Sequence, residues 1–254
     1  PNTGTTNLIC ELANTLALNS VDTLLIDLNV YTKSVNFYFN DLDNDKSTGV
    51  AKSGLKEVLN DLTALDECIH EVSGYLDLLG TNSYIPFTDF NNSYLEDEVV
   101  LDVVSAYAMD YRVTLVHIPV ENLLVYKDLI RVCDKIIYAS HSTINGICAI
   151  DKILNPKYYL NETDKRTLTI LHRKLRYVLT NYNNPKTINR NNFKDYLYEV
   201  TSSNTLVQEI LGQVNYQKDF DEFKQSKRLY SNGKEKGNFE SIIMNLLKWL
   251  EVLV

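Results

Sequence analysis

The chain has 254 residues, of which 44% are apolar and 23% charged, and it carries a formal net charge of −8. That balance excludes disordered and fibrous classes and suits a globular protein with one large α/β domain or two small ones. Cys10, Cys68, Cys133 and Cys148 show no C-x-x-C and no paired spacing, and no apolar run approaches the roughly 18 residues of a membrane span; neither a zinc site nor a disulfide framework is suggested, and a cytoplasmic location without a signal peptide or spanning helix is expected.

Pro1 to Leu18 (PNTGTTNLICELANTLAL) joins a Gly/Thr/Asn turn to an amphipathic helix, with Leu8, Ile9, Leu12, Ala13, Leu16 and Ala17 as its apolar stripe. A turn with inward N–H groups that leads into a helix N-terminus is how phosphates are held. Gly4, Thr5 and Thr6 stand where such a turn needs them, but the pattern G-x-x-x-x-G-K-[ST] has its lysine where this chain has Thr5. The competing reading is a plain capped helix start.

Thr23 to Val30 (TLLIDLNV) is an apolar run of the kind found in parallel strands buried on both faces. An acid inside such a strand is costly, so Asp27 and Asn29 are expected at its carboxyl end. Tyr31 to Ser53 reads as a loop, Gly54 to Leu65 as a short helix and Tyr75 to Leu79 as a strand. After a polar loop over 81–97 come a helix over Val99 to Met109, a strand over Val113 to Pro119 with His117 near its end, and a helix over Leu123 to Cys133. A strand over Lys135 to Ser140, a helix over Ile144 to Leu154 and a strand over Leu175 to Thr180 that stops at Asn181 follow. Asn189 to Leu197 and Leu206 to Leu211 read as helical, and a long helix opens at Asn238. Short strands alternating with longer helices predict an α/β fold with a doubly wound, mostly parallel sheet flanked by helices.

The order of these segments resembles the ParA/MinD family of deviant P-loop ATPases across nearly the whole chain. PNTGTTN and the helix ELANTLA stand where that family has its phosphate loop and first helix, and TLLIDLNV where it has a strand ending in D-x-D. GLKEVL and YLDLLGTN, DYRVTLVHIP, VCDKIIYASHSTINGICAIDKIL, LRYVLTNYN and LGQVNYQKDFDEFKQS are similar to its later motifs. The resemblance implies a single domain over 1–254 that lacks the family's first strand before Pro1. It also implies binding of ATP or ADP with magnesium. The phosphates would lie on Asn2, Thr3, Gly4, Thr5, Thr6 and Asn7, the adenine by Asn181, and the metal on Thr6 and Asp27.

The departures fall on the chemistry. Thr5 replaces the phosphate-loop lysine, Asn29 the second acid of D-x-D, and His117 the acid of the Walker B strand. Phosphoryl transfer needs charge stabilisation and carboxylate-held magnesium, so Asp27, Asn29 and His117 occupy catalytic positions without a complete catalytic set. The expectation is a positioning or assembly factor with a degenerate nucleotide site, a pseudo-ATPase or weak ATP binder that dimerises and recruits a protein partner; TadZ-like pilus-assembly proteins are one version. The alternatives are an active partitioning ATPase cycling on DNA or membrane, and a doubly wound domain that binds another small molecule.

Simpler readings stand beside these. His117 in an apolar strand reads as a hydrogen-bonded core or rim residue, and Asp27 as a carboxylate capping a nearby loop. His141 beside Ser140 and Ser142 lacks a G-x-S-x-G elbow, which discounts a hydrolase. Residues 1–150 hold 8 Lys/Arg against 21 Asp/Glu, whereas 151–200 hold 10 against 5. The basic stretch, with Lys165, Arg166, Arg173, Lys174, Arg176, Lys186, Arg190 and Lys194, offers a nucleic-acid surface over 165–194 or a solvated face. The terminal helix with Trp249 is expected to pack onto the sheet rather than lie on a membrane.

Overall fold

Backbone contacts divide the chain into two units, one built on Thr6–Leu129 and the other on Ile130–Ser226 with the two chain ends. The computed structural model describes residues 4–30, 35–39, 54–80, 96–182, 187–215, 244–249 and 251.

In the first unit, α1 (Thr5–Leu18) leads into β1 (Thr23–Asp27). Three short helices follow, α2 (Asn36–Phe39), α3 (Leu55–Asn60) and α4 (Leu65–Cys68), then the strands β2 (His70–Ser73) and β3 (Leu76–Leu79). Helix α5 (Asp97–Ala108) and strand β4 (Val113–His117) complete it. The sheet order is β2-β3-β1-β4, with β1 parallel to both neighbours and β2 antiparallel to β3.

Every residue of β1 is buried, and strand alternation sends its side chains to two cores. Leu24 and Ile26 join Leu55, Val58, Val100, Val103 and Val104 from α3 and α5 on one face. Leu25 joins Cys10, Ala13 and Ala17 from α1 on the other. Helices therefore cover both faces of the sheet, which is why β1 reads as a continuous apolar run rather than an alternating one.

Helix α6 (Lys127–Val132) crosses the boundary between the units. Asp97 accepts the amides of Asp128 and Leu129 in its first turn, at 2.7 and 3.4 Å. The second unit then runs β5 (Ile136–His141), α7 (Ile144–Leu154), α8 (Glu162–Lys174), β6 (Leu175–Tyr182), α9 (Arg190–Thr201) and β7 (Ile210–Asn215). Its sheet is parallel, in the order β5-β6-β7. The register pairs Tyr138 with Tyr177, whose rings meet edge to face at 6.0 Å, and Phe193 of α9 covers Tyr177 at 6.3 Å. Side-chain caps start the helices: Thr143 accepts the Gly146 amide, Asn161 that of Thr163 and Asn189 that of Asn192.

Several sequence expectations change. Leu206 to Leu211 is not helical; a 3-10 turn over Asn204–Leu206 leads into β7, whose Ile210 pairs with Tyr177. The β6 strand continues past Asn181 to Tyr182. The stretch over 162–174, read only for its charges, is a helix, and β2 was not anticipated. Within the expected loop over Tyr31 to Ser53, residues 36–39 form α2, and the rest of that loop except Val35 lies outside the described residues, as does most of the loop over 81–97. Of the long terminal helix, 244–249 is described as helical.

Candidate functional site

The parallel register of β1 and β4 sets Asp27 opposite His117, so the last residues of two neighbouring strands face one another. A hydrogen bond from the Leu28 amide to the His117 carbonyl, 3.0 Å, keeps the strand ends together just beyond the ladder. Asp27 is 1% exposed and His117 3%, so neither relies on water for its partners. Nδ1 of His117 lies 2.8 Å from Oδ1 of Asp27. An ionised carboxylate can only accept, and against it the ring nitrogen is the donor. The same Oδ1 accepts the backbone amide of Asn29 at 3.0 Å, closing an Asx turn that redirects the chain out of the strand.

Two residues of α1 belong to this neighbourhood. Burial pushes the Cys10 thiol well above its ordinary pKa, and the Asp27 and Glu11 carboxylates add to the rise, so the sulfur is a protonated, unreactive packing group. Glu11 is 1% exposed on a helix buried mostly through apolar residues, with Asn7 the other buried polar side chain. The sequence reading missed Glu11, although Asn7 and Glu11 stand four residues apart and so form a polar row beside the apolar stripe.

The residues expected to hold phosphates are placed less uniformly. Asn2 and Thr3 lie outside the described residues. Gly4 has a φ of +77° directly before α1, a conformation that costs other residues about 1–2 kcal/mol, and it leads straight into Thr5, the first helical residue. Thr5 and Thr6 are half-buried in the first turn. Asn7 is buried, and its amide donates to the Tyr38 hydroxyl at 3.4 Å, tying α1 to α2.

In the second unit, Gly4 lies against the end of β6: a Cβ added to it would stand 3.5 Å from Cγ2 of Thr180. Asn181 follows Thr180 in that strand, so Gly4 and the strand end carrying Asn181 come together. Thr180 donates to the Ser140 carbonyl at 3.2 Å and lies 3.3 Å from Nδ1 of His141. Ser140 donates to the His141 carbonyl and Ser142 to that of Ile188. These bonds use the hydroxyls of both serines structurally.

Half of the eight basic residues named above are engaged within the fold. Lys174 donates to the carbonyls of Ile130, Arg131 and Cys133 at 3.1, 2.7 and 2.6 Å, capping the end of α6. Arg176 pairs with Glu209 and, with Lys135, flanks the Trp249 ring. Arg190 donates to the Ile210 carbonyl, and Lys165 pairs with Glu162. Arg166 and Arg173 stay exposed at i,i+7 on α8, while Lys186 lies outside the described residues. Leu246 and Leu247 beside Trp249 are fully buried, in keeping with a packed terminal helix. Among the described residues no helix is long and apolar enough to cross a membrane, and no group of three or more His, Cys, Asp or Glu could hold a metal ion.

No protein-family model and no curated protein matches the sequence. Solved structures do match over almost the full length. The ATP complex of a Cyanothece McdA variant aligns with a TM-score of 0.71 at 10% identity, over 100% of this chain and 94% of the other. The septum site-determining protein MinD with Mg-ADP from Pyrococcus horikoshii OT3 gives 0.69 at 11% identity, over 99% and 94%. A ParA family ATPase from Chlorobium tepidum TLS gives 0.67 at 14% identity, over 100% and 95%. The fold is therefore that of the ParA/MinD P-loop ATPases.

Proposed function

We propose that this chain, built on the ParA/MinD P-loop fold, is a positioning or assembly factor whose nucleotide site is degenerate and which works by dimerising and recruiting a protein partner. The observation that carries the reading is the Asp27–His117 pair. Where a phosphoryl-transfer site of this fold would need two acids at the carboxyl ends of neighbouring strands, this chain has one acid whose Oδ1 is already hydrogen-bonded to an imidazole. Thr5 in place of the phosphate-loop lysine and Asn29 in place of the second acid act in the same direction. A positive-φ glycine at a helix N-terminus retains a place where a phosphate could rest on backbone amides, so weak nucleotide binding without turnover fits these residues better than catalysis. ATP or ADP remains the ligand class that the fold suggests.

DNA binding is a weaker reading for this chain, because Lys165, Lys174, Arg176 and Arg190 already have partners within the fold. Sedimentation velocity with and without ATP and magnesium tests the proposal. A dimer whose population does not respond to nucleotide is expected, and a monomer converted to a dimer by ATP would instead favour a nucleotide-cycled switch.

A further inference from the structure

The ParA/MinD fold implies a magnesium ion beside the nucleotide, and the residues at Asp27 do not fit one. Magnesium takes hard oxygen ligands in near-octahedral geometry, usually from one or two carboxylates together with phosphates and waters. Here Oδ1 of Asp27 already accepts two N–H donors, from Asn29 at 3.0 Å and His117 at 2.8 Å. Both donors aim positively polarised hydrogens at that oxygen, which disfavours a cation beside it. With 1% and 3% exposure, the pair has no room for the waters magnesium prefers to keep. The neighbouring Cys10 thiol, held protonated, adds no hard ligand.

We infer that the ring N–H of His117 stands in for a divalent cation at Asp27, so that this end of the sheet is magnesium-independent and nucleoside phosphate binding by the chain does not require the metal. The inference rests on reading Asp27 and His117 as the remnant of a nucleotide site. It adds that the histidine is an internal replacement for the metal, and not only a lost acid. The pair has a second physical consequence. Two carboxylates at these facing strand ends would repel one another unless a cation lay between them, whereas a carboxylate and an imidazole N–H satisfy each other without one.

The test uses manganese as a spectroscopic probe for magnesium, measured by electron paramagnetic resonance on the whole chain without nucleotide, together with melting temperature in EDTA and in magnesium. Wild type is expected to bind no stoichiometric manganese and to melt at the same temperature in both. His117→Asp is expected to take up one manganese ion per chain and to melt higher in magnesium than in EDTA, and adding Asp27→Asn is expected to abolish both gains. If His117→Asp does not fold, His117→Asn removes the ring and replaces it, with a smaller gain expected. One manganese ion bound by wild type and lost in Asp27→Asn would overturn the inference, as would a folded His117→Asp or His117→Asn that gains nothing. A parallel titration with ATP separates the two readings. Wild type that binds neither ATP nor manganese sinks the nucleotide-site reading and leaves the role of His117 standing. ATP binding that magnesium tightens tenfold or more sinks the inference alone.

Discussion

His117 and Asp27 terminate neighbouring parallel strands and meet through a 2.8 Å hydrogen bond with almost no solvent access. A hydrogen bond to a charged group contributes about 1.5–3 kcal/mol, and a buried acceptor stripped of its donor costs at least as much. His117→Ala is therefore expected to destabilise the protein by about 2–3 kcal/mol in urea unfolding. His117→Gln, which keeps a side-chain donor, should recover part of that loss. A change under about 0.5 kcal/mol, the range of ordinary surface substitutions, would mean that the pair does not hold the strand ends.

Gly146, in the first turn of α7, has the end of β5 pressed against it. A Cβ there would run into the His141 carbonyl and stand 2.9 Å from Oγ of Ser140. Backbone cannot yield as a flexible side chain can, and overpacking of this kind costs about 1–3 kcal/mol. Gly146→Ala should lower the midpoint of chemical unfolding accordingly, while Gly74→Ala, where nothing lies within 4 Å, should not.

Acid sensitivity is expected from two buried groups in the second unit. Burial acts to raise the Asp151 carboxyl, but hydrogen bonds from Asn155, Tyr158 and Lys157 outweigh it and hold the group below its ordinary value. Because the folded value lies below the unfolded one, of about 3.9, the stabilisation is present above that pH and is lost as pH falls through the folded value. Asp151→Asn should flatten the steep acid limb of a stability–pH curve. A limb of unchanged slope would show that the cluster does not couple to folding.

His172 behaves in the same direction at higher pH. Burial lowers its pKa, partly opposed by the bond between Nε2 and the Leu154 carbonyl at 3.0 Å. Folding favours the neutral ring, so its contribution is intact above about pH 6.5 and declines as pH falls below that value toward the lowered one. His172→Gln should remove the stability change in this window, as read by urea midpoints between pH 7 and pH 5.

Lys174 gathers three carbonyls at the end of α6. Its partial exposure discounts these charge-assisted bonds, so Lys174→Met is expected to cost about 1 kcal/mol. The sharper readout is local. Hydrogen exchange should quicken at 130–133 and leave β6 protected, whereas unchanged exchange there would contradict the capping role.

Much of the fold was legible where burial imposed a simple pattern. Thr23 to Asp27 and Val113 to His117 read as parallel strands because helices cover both faces of the sheet at β1, and α7 read as a helix because Thr143 caps it and Ile147, Ile150 and Leu154 share one buried face. The helix over Glu162–Lys174 was hidden by its charges, although Thr167, Leu168, Leu171 and His172 carry the buried stripe. Strand β7 was misread because LVQEIL also has helical spacing, and only pairing with β6 decides between the two. At the site, the sequence located Asp27, Asn29 and His117 as departures from a pattern. That His117 and Asp27 bond to each other depends on the register of strands ninety residues apart, which no local signal contains.

The proposed function requires this ParA/MinD-type fold to carry a nucleotide site without catalysis. Calorimetric titration with ATP and magnesium, followed by phosphate release in the same sample, tests it most directly. Weak but measurable heat of binding with no phosphate above the protein-free control is the expected result. Tight binding accompanied by sustained phosphate release would contradict it.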